Sequence, residues 1–376
     1  MTQNDQGYGL GLIRQESQEA PAPVLDYRPA TVVGDMPIGI IGCGGISERH
    51  LAAYGKAGYR VTALCDKKRE SAESRRDAYA PGAKVHTDYR ELLDRKDVAV
   101  VDITTHPEIR PAIIREALMA GKHVLSQKPF VLDLDEGAEL ASLAESRGLL
   151  LAVNQNGRWA PHIRYLSQAI LAGHVGTVST LDFCVCWDHG WIKGTPFEEI
   201  PDLILYDFAI HWFDFIHVFM GGNRAKSVFA ATGRSTAQKC KPPMLASVTV
   251  EFDAAIATMS FNGSTSYGQW DRSTVIGDLG TLISEGPDLN RQKVLLTRAQ
   301  GESRPDLIGS WFNDGFHGAM AELLSALEEG RRPSHHARDN LESLALCFAA
   351  VASARELSPQ VPGNVRKMPS SKFPIG

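Results

Sequence analysis

Short apolar runs at residues 37–41, 60–65, 98–103, 123–125 and 149–153 are separated by segments whose apolar residues recur at helical spacing. Runs of this kind predict strands covered on both faces, as in a parallel sheet. The intervening segments predict helices at 110–120 and 134–146, each ending at a glycine, Gly121 or Gly148, that can take a left-handed cap. Shorter helices are expected at 48–56, 73–79 and 88–93. Strands alternating with helices predict right-handed crossovers.

After Asn156 the pattern changes. Residues 176–187 alternate, with Val178, Leu181, Phe183, Val185 and Trp187 mostly on one phase, as a half-buried strand requires. Further strands are expected at 225–231, 246–252, 255–261, 273–276, 281–285 and 293–297, and the short turn-rich connections between several of them predict a largely antiparallel sheet. Two closing helices follow at 316–329 and 340–357, the second with Asp339 and Glu342 spaced as a capping box. The expected organisation is an N-terminal extension or arm at 1–35, an α/β domain at 36–156 and an α+β domain at 157–376. Leu10, Leu12, Ile13, Val24 and Leu25 give the leader enough apolar surface to lie as an arm over another surface.

Composition narrows the function classes. The 376 residues are 43% hydrophobic, with a formal net charge of -5 and cations scattered except at Lys67-Lys68-Arg69, so there is no basic field to hold nucleic acid. No run has the length of a bilayer span and the leader lacks a signal-peptide pattern, which predicts a cytoplasmic protein with no membrane partner. Cysteines 43, 65, 184, 186, 240 and 347 lack metal-ligand spacing, so neither disulfides nor a metal site is expected, and Cys184 and Cys186 read as one face of a strand.

The chemistry begins at the end of the first strand, in Gly42-Cys43-Gly44-Gly45-Ile46-Ser47. Glycines between a strand and a helix let the backbone approach a pyrophosphate at the helix N-terminus. Ser47 occupies the third glycine position of the G-x-G-x-x-G fingerprint. Asp66 closes the second strand at the spacing of a residue that accepts hydrogen bonds from a ribose diol and repels a 2′-phosphate. NAD is therefore the expected cofactor, with NADP admitted by the basic run beside Asp66.

Three more stretches carry functional groups. Residues 120–129 (AGKHVLSQKP) end a strand with Lys128 at its carboxyl edge, where ligands bind in open α/β sheets. Residues 155–161 (QNGRWAP) follow the last strand of the same sheet. Residues 206–214 place Asp207 and His211 four apart in an apolar helical segment, where a carboxylate and an imidazole on one face need compensation for lost solvent.

The glycine turn, the AGKHVL-x-x-K-P element and the D-x-x-x-H helix, in this order, resemble the Gfo/Idh/MocA family of nicotinamide-dependent sugar and inositol oxidoreductases over roughly residues 36–357. The resemblance implies a Rossmann domain joined to a largely antiparallel α+β domain. It also implies catalysis by Lys128, Asp207 and His211, a cis Lys128-Pro129 bond, and a homodimer or homotetramer formed through the second sheet. Cofactor contacts are then expected from Gly42, Gly44, Gly45, Ile46, Asp66, Thr104, Thr105, His106, Gln127, Lys128 and Pro129. Gln127 stands where the family usually has glutamate, and Arg110 where a histidine is common.

In this reading His211 takes the proton of a polyol or cyclic sugar hydroxyl as hydride leaves carbon, and Lys128 stabilises the alkoxide and keeps His211 neutral. Asp207 orients the substrate hydroxyl or the imidazole, and Asp214 orients or caps a neighbour. Asn156, Arg158, Trp159, Trp187, His189 and Trp191 are the substrate candidates, and His317 reads as a solvated helix start. Two alternatives stay open: a non-redox glycoside-cleaving or isomerising enzyme that cycles bound NAD, and a silent ligand sensor.

Overall fold

The computed structural model describes residues 18–369. Its first layer is a six-stranded sheet of β1 (Ile38–Ile41), β2 (Val61–Cys65), β3 (Lys84–His86), β4 (Val100–Ile103), β5 (His123–Gln127) and β6 (Leu151–Asn154). The strands lie in the order β3-β2-β1-β4-β5-β6, and every pairing is parallel. β1 and β4 are wholly buried, which explains why they read as apolar runs, interrupted in β4 only by Asp102.

The crossovers are α1 (Ser47–Ala57), α2 (Arg69–Tyr79), α3 (Tyr89–Leu93), α4 (Arg110–Met119) and α5 (Leu134–Ser146). α3 and α5 are capped as their sequences dictate: Asp88 and Asp133 each accept a hydrogen bond from the backbone N–H two residues on. The chain order reverses between β1 and β4, so the loops leaving these strands diverge and open a crevice.

The second layer is an eight-stranded sheet built from β7 (Val178–Cys186), β8 (Ser227–Gly233), β9 (Leu245–Glu251), β10 (Ile256–Asn262), β11 (Trp270–Gly277), β12 (Gly280–Gly286), β13 (Lys293–Arg298) and β14 (Gly301–Ser303). It runs β14-β13-β12-β11-β7-β10-β9-β8, antiparallel except for the β7–β10 pair. One face packs on α6 (Pro161–Leu171) and α7 (Ile210–Phe219), and Leu181, Phe183 and Val185 of β7 are buried there. Cys184 and Cys186 share the opposite face as free thiols, as their spacing implied.

The last two helices, α8 (Trp311–Glu329) and α9 (Ala337–Glu356), join the layers. Phe316, Met320, Leu323 and Leu324 of α8 enter the same core as Ile38, Leu51 and Tyr54 of the first layer. Gly318 lets α8 approach: a Cβ there would lie 2.2 Å from Trp159.

Two local expectations change. α8 begins at Trp311 rather than Phe316, and His317 is half-buried against Tyr59 rather than solvated. α9 is capped by His336, whose ring accepts from Arg338 N–H, while Asp339 lies inside the first turn and turns to Arg158 and His217.

Residues 18–30 run as an arm: Gln18 and Ala20 exchange backbone hydrogen bonds with Glu302, and Tyr165 donates to the Pro23 carbonyl. Leu25 packs on the core, whereas Val24 is fully exposed. Leu10, Leu12 and Ile13 lie outside the described residues. Among the described residues no helix is long and apolar enough to cross a membrane.

Candidate active site

The first half of the site is the turn after β1. Gly42 takes a positive φ of 97°, and a Cβ there would lie 3.1 Å from Thr104 and Thr105 of the β4–α4 loop, so only glycine lets the two loops close on each other. Cβ atoms on Gly44 and Gly45 would meet nothing within 4 Å, leaving their backbone open to a ligand. Ser47 opens α1, and its hydroxyl donates to Gly44 O at 2.6 Å, tying the turn from within. Asp66 reaches across: Oδ2 accepts from Cys43 N–H at 2.8 Å and Oδ1 from Lys68 N–H at 2.9 Å. Thr104 donates to Gly42 O, Thr105 Oγ1 is buried without a partner, Ile46 is half-buried and His106 is exposed.

Lys128 leaves β5 through a cis bond to Pro129. Its Nζ donates to the Asp207 carbonyl at 2.9 Å and to Asp207 Oδ1 at 3.1 Å, with both side chains mostly shielded. The turn is gripped by Arg110, a buried guanidinium bonded to the carbonyls of Thr105, Gln127 and Pro129. Arg110 therefore locks the β4–α4 loop to the lysine turn, and burial pushes its pKa down to about 10.

Asp207 and His211 do not share one regular α-helix. Residues Ile204–Phe208 form a π-helical turn, and His211 lies in α7 beyond it. The wider π-turn carries Asp207, which accepts from Lys128 through its carbonyl and Oδ1. His211 Nδ1 is buried without a partner, and the ring meets Trp311 edge-on at 5.3 Å. Burial, and then the charge of Lys128, hold the imidazole well below its usual pKa, so it stays a neutral base.

Aromatic rings adjoin this group. His189 stacks on Phe208 at 4.2 Å, Trp187 meets its edge at 5.5 Å, and Trp191 donates Nε1–H to its Nδ1 at 3.3 Å. Burial lowers the His189 pKa to about 4. Trp191 remains 56% exposed and the Trp187 Nε1 is buried unpartnered, so a largely apolar wall stands beside Asp207.

Three further substrate candidates are engaged with protein groups. Arg158 is buried, bonded through Nε and Nη2 to Asp214 at 2.6 and 2.7 Å, with further bonds to Asp339 and the Ser334 carbonyl. Its charge is spent on Asp214, which is thereby the orienting group it was expected to be. Trp159 is 2% exposed between His335 and Gly318, and Asn156 accepts from Trp311 Nε1 at 3.2 Å. All three follow the last parallel strand in sequence, but the short 3₁₀ turn Asn156–Trp159 folds them under α8.

The residue before them, Gln155, was not singled out by the sequence. It is 1% exposed with both side-chain polar atoms unpartnered, as are Thr105 Oγ1 and the Tyr206 hydroxyl. Such groups are ordinarily satisfied by a ligand or ordered water. With the open Gly44-Gly45 backbone they fit a dinucleotide carrying an amide head. No spacing rule would have found Gln155 or Tyr206, because their lack of partners is a tertiary property.

A doubly wound parallel sheet with a glycine turn at its switch point, facing a shielded lysine and a neutral histidine, defines a Rossmann-type nicotinamide-dependent oxidoreductase. The family description "Oxidoreductase family, NAD-binding Rossmann fold" matches residues 36–155, and the GFO/IDH/MocA C-terminal domain matches 163–283. The chain belongs to the Gfo/Idh/MocA family.

Among curated relatives, D-apiose dehydrogenase of Paraburkholderia graminis is 26% identical, over 84% of this chain and 87% of its own. Inositol 2-dehydrogenase of Rhizobium meliloti is 27% identical over 85% and 96%. The structure of an oxidoreductase from Agrobacterium radiobacter in complex with NAD+, L-tartaric acid and magnesium superposes with a TM-score of 0.78 at 21% identity, covering 88% of this chain and 99% of that one.

Proposed function

We propose that this protein oxidises a secondary hydroxyl of a sugar, inositol or related polyol, or reduces the matching carbonyl, with Lys128, Asp207 and His211 as its catalytic residues. The observation that carries the reading is the Lys128–Asp207 pair beside a neutral, unpartnered His211 at the carboxyl edge of the parallel sheet. The relatives named for D-apiose and inositol support the substrate class.

Gly42, Gly44, Gly45 and Ile46 would hold the pyrophosphate, Asp66 the adenosine ribose, and Thr104, Thr105, His106, Pro129 and Gln155 the nicotinamide half. Bound NAD supplies a hydride acceptor. His211 takes the hydroxyl proton as the C–H bond breaks, and the Lys128 ammonium compensates the charge growing on oxygen. Asp207 keeps that ammonium in place and offers its free oxygen to a neighbouring hydroxyl. Trp187, His189 and Trp191, with Phe208, give the C–H faces of a ring an apolar wall.

The Asp66 carboxylate favours NAD over NADP. The six free thiols suit a reducing cytoplasm. The uncovered face of the second sheet, which presents Phe229, Ile256, Trp270 and Ile276, is the surface for a homodimer or homotetramer.

The test is turnover on a panel of pentoses, hexoses and inositols, with NADH followed by absorbance and products identified by mass. Net NADH formation from a polyol is the expected result. Product without net NADH would establish the internal redox cycle, and binding without product would establish a sensor.

A further inference from the structure

Below the lysine turn, five polar side chains from four elements form one network, in which Asp102 Oδ1 and Asn154 Oδ1 are left without partners. Asp102 of β4 accepts on Oδ2 from the Tyr54 hydroxyl at 2.6 Å and lies 2.7 Å from His50 Nδ1 of α1. His50 Nε2 faces Gln127 Nε2 of β5 at 3.2 Å and Asn154 Nδ2 of β6 at 3.1 Å. Gln127 Oε1 accepts from the backbone N–H of Lys128 at 2.6 Å and faces Asn154 Nδ2 at 3.4 Å. The Phe316 ring of α8 closes the group at 4.7 Å from the imidazole. His50, Tyr54, Asp102 and Asn154 have no exposed surface, and Gln127 is 5% exposed.

One definite donor fixes the protons throughout. A backbone N–H can only donate, so the Lys128 amide identifies Gln127 Oε1 as an acceptor and turns the NH₂ group toward His50. The imidazole nitrogen it meets must then accept, which leaves the ring proton on Nδ1, where Asp102 receives it. The amide of Gln127, expected among the cofactor contacts, thus meets protein groups at both ends.

We propose that Gln127 is a positioning residue for Lys128: its side chain transfers the fixed location of the His50–Asp102–Tyr54 cluster to the lysine backbone and so aims the ammonium at the reacting oxygen. This rests on the role given to Lys128 above. The cluster is anchored by a hydrogen-bonded carboxylate that water does not reach, which makes it a stiff reference for the turn. Arg110 holds the carbonyls on either side of Lys128, and Gln127 holds the N–H between them.

Glutamate at this position is a sharp probe. In Gln127→Glu one carboxylate oxygen still accepts from Lys128 N–H, but the other confronts the lone pair of His50 Nε2. The contact is relieved by one extra proton shared between the two groups. Tyr54, Asp102, Asn154 and Phe316 are the other groups facing the imidazole, and none is cationic.

Three measurements test the proposal on the full chain. In the wild-type protein without substrate, imidazole nitrogen NMR should show His50 protonated on Nδ1 and bare on Nε2; protonated Nε2 would overturn the proton assignment. Gln127→Met should lower kcat by roughly 10–10², the scale on which a small misplacement of a catalytic group acts, with NAD affinity nearly unchanged. Gln127→Glu should keep activity at low pH and lose it as pH rises, adding a limb absent from the wild type.

Wild-type kcat in Gln127→Met beside an impaired Lys128→Met sinks the positioning role alone. Lost NAD affinity with kcat preserved makes Gln127 a cofactor ligand instead. Wild-type turnover in Lys128→Met removes the lysine's role and this proposal with it. Should Gln127→Met fail to fold, the NMR assignment and the Gln127→Glu pH profile still decide.

Discussion

Lys128 and His211 are held close enough for the lysine's charge to depress the imidazole pKa, and a neutral imidazole is what proton removal requires. Lys128→Met keeps the stem and deletes the charge, so kcat should fall by about 10²–10³, as when one donor to a developing oxyanion is lost. His211→Asn should lower kcat by roughly 10²–10⁴. With its pKa well below 6.5, His211 is already neutral at pH 6.5, so the wild-type kcat/KM profile should lack an inflection there from this group, and any limb it causes should lie at more acid pH. In Lys128→Met that limb should move up, because one of the two causes of the depression is gone. Asp66→Ala removes the acceptor proposed for the ribose and the hold on Cys43 N–H, and titration should show weaker NAD binding with a narrower preference over NADP. Tighter NADP binding by the wild type would transfer control to Lys67, Lys68 and Arg69.

At the scale of elements, the π-turn and the 3₁₀ turn decide what the neighbouring motifs do. Residues 204–208 break the α-helical register and carry Asp207 to Lys128, while Asn156–Trp159 coils Arg158 inward to Asp214. The Arg158–Asp214 pair binds this turn to α7, and further bonds from Arg158 to Asp339 and from Ser343 to Asp214 bring in α9. Removing one partner strands a buried charge, so Asp214→Ala should lower unfolding free energy by about 3–5 kcal/mol in denaturant titration. Because neither group lines the aromatic wall, folded Asp214→Ala protein should keep its substrate KM. A raised KM at undiminished stability would return Arg158 to the substrate site.

Across the whole molecule, burial leaves many histidines neutral. His189 and His336 are lowered to about 4, and His162 and His335 to about 3, in each case chiefly by loss of solvent. A histidine whose folded pKa is depressed contributes its full stability above the unfolded value near 6.5. That contribution is lost as pH falls toward the folded value, because the unfolded chain then binds the proton. Each such group adds about 1.4 kcal/mol per pH unit to the slope. Chemical denaturation at a series of pH values should therefore show stability falling steeply from about pH 6.5 to 4, and a flat profile would mean that these sites open to water. Assembly is tested on the same scale: Phe229→Arg, on the uncovered sheet face, should shift sedimentation toward the monomer without altering the fold.

The repeating apolar strands and glycine-stopped helices were legible because a strand buried on both faces and a helix ending in a left-handed cap each impose local composition. Gly42, Asp66, Lys128 and the half-buried alternation of β7 were readable for the same reason: each stands at a fixed step from its own element's end. The sequence by itself therefore determined a parallel sheet with a dinucleotide turn, a second mostly antiparallel sheet, and a lysine at the sheet's carboxyl edge. Tertiary packing decided the rest. Trp159 resembles a ligand contact in sequence but packs under α8, Arg158 is bonded to Asp214 of α7, Asp339 looked like a cap but meets Arg158, and Asp207 meets Lys128. The network from Asp102 through His50 to Gln127 joins four elements across as many as 104 sequence positions. Hydrogen bonding inside a core is fixed by which strands and helices become neighbours, and that information exists only once the chain has closed.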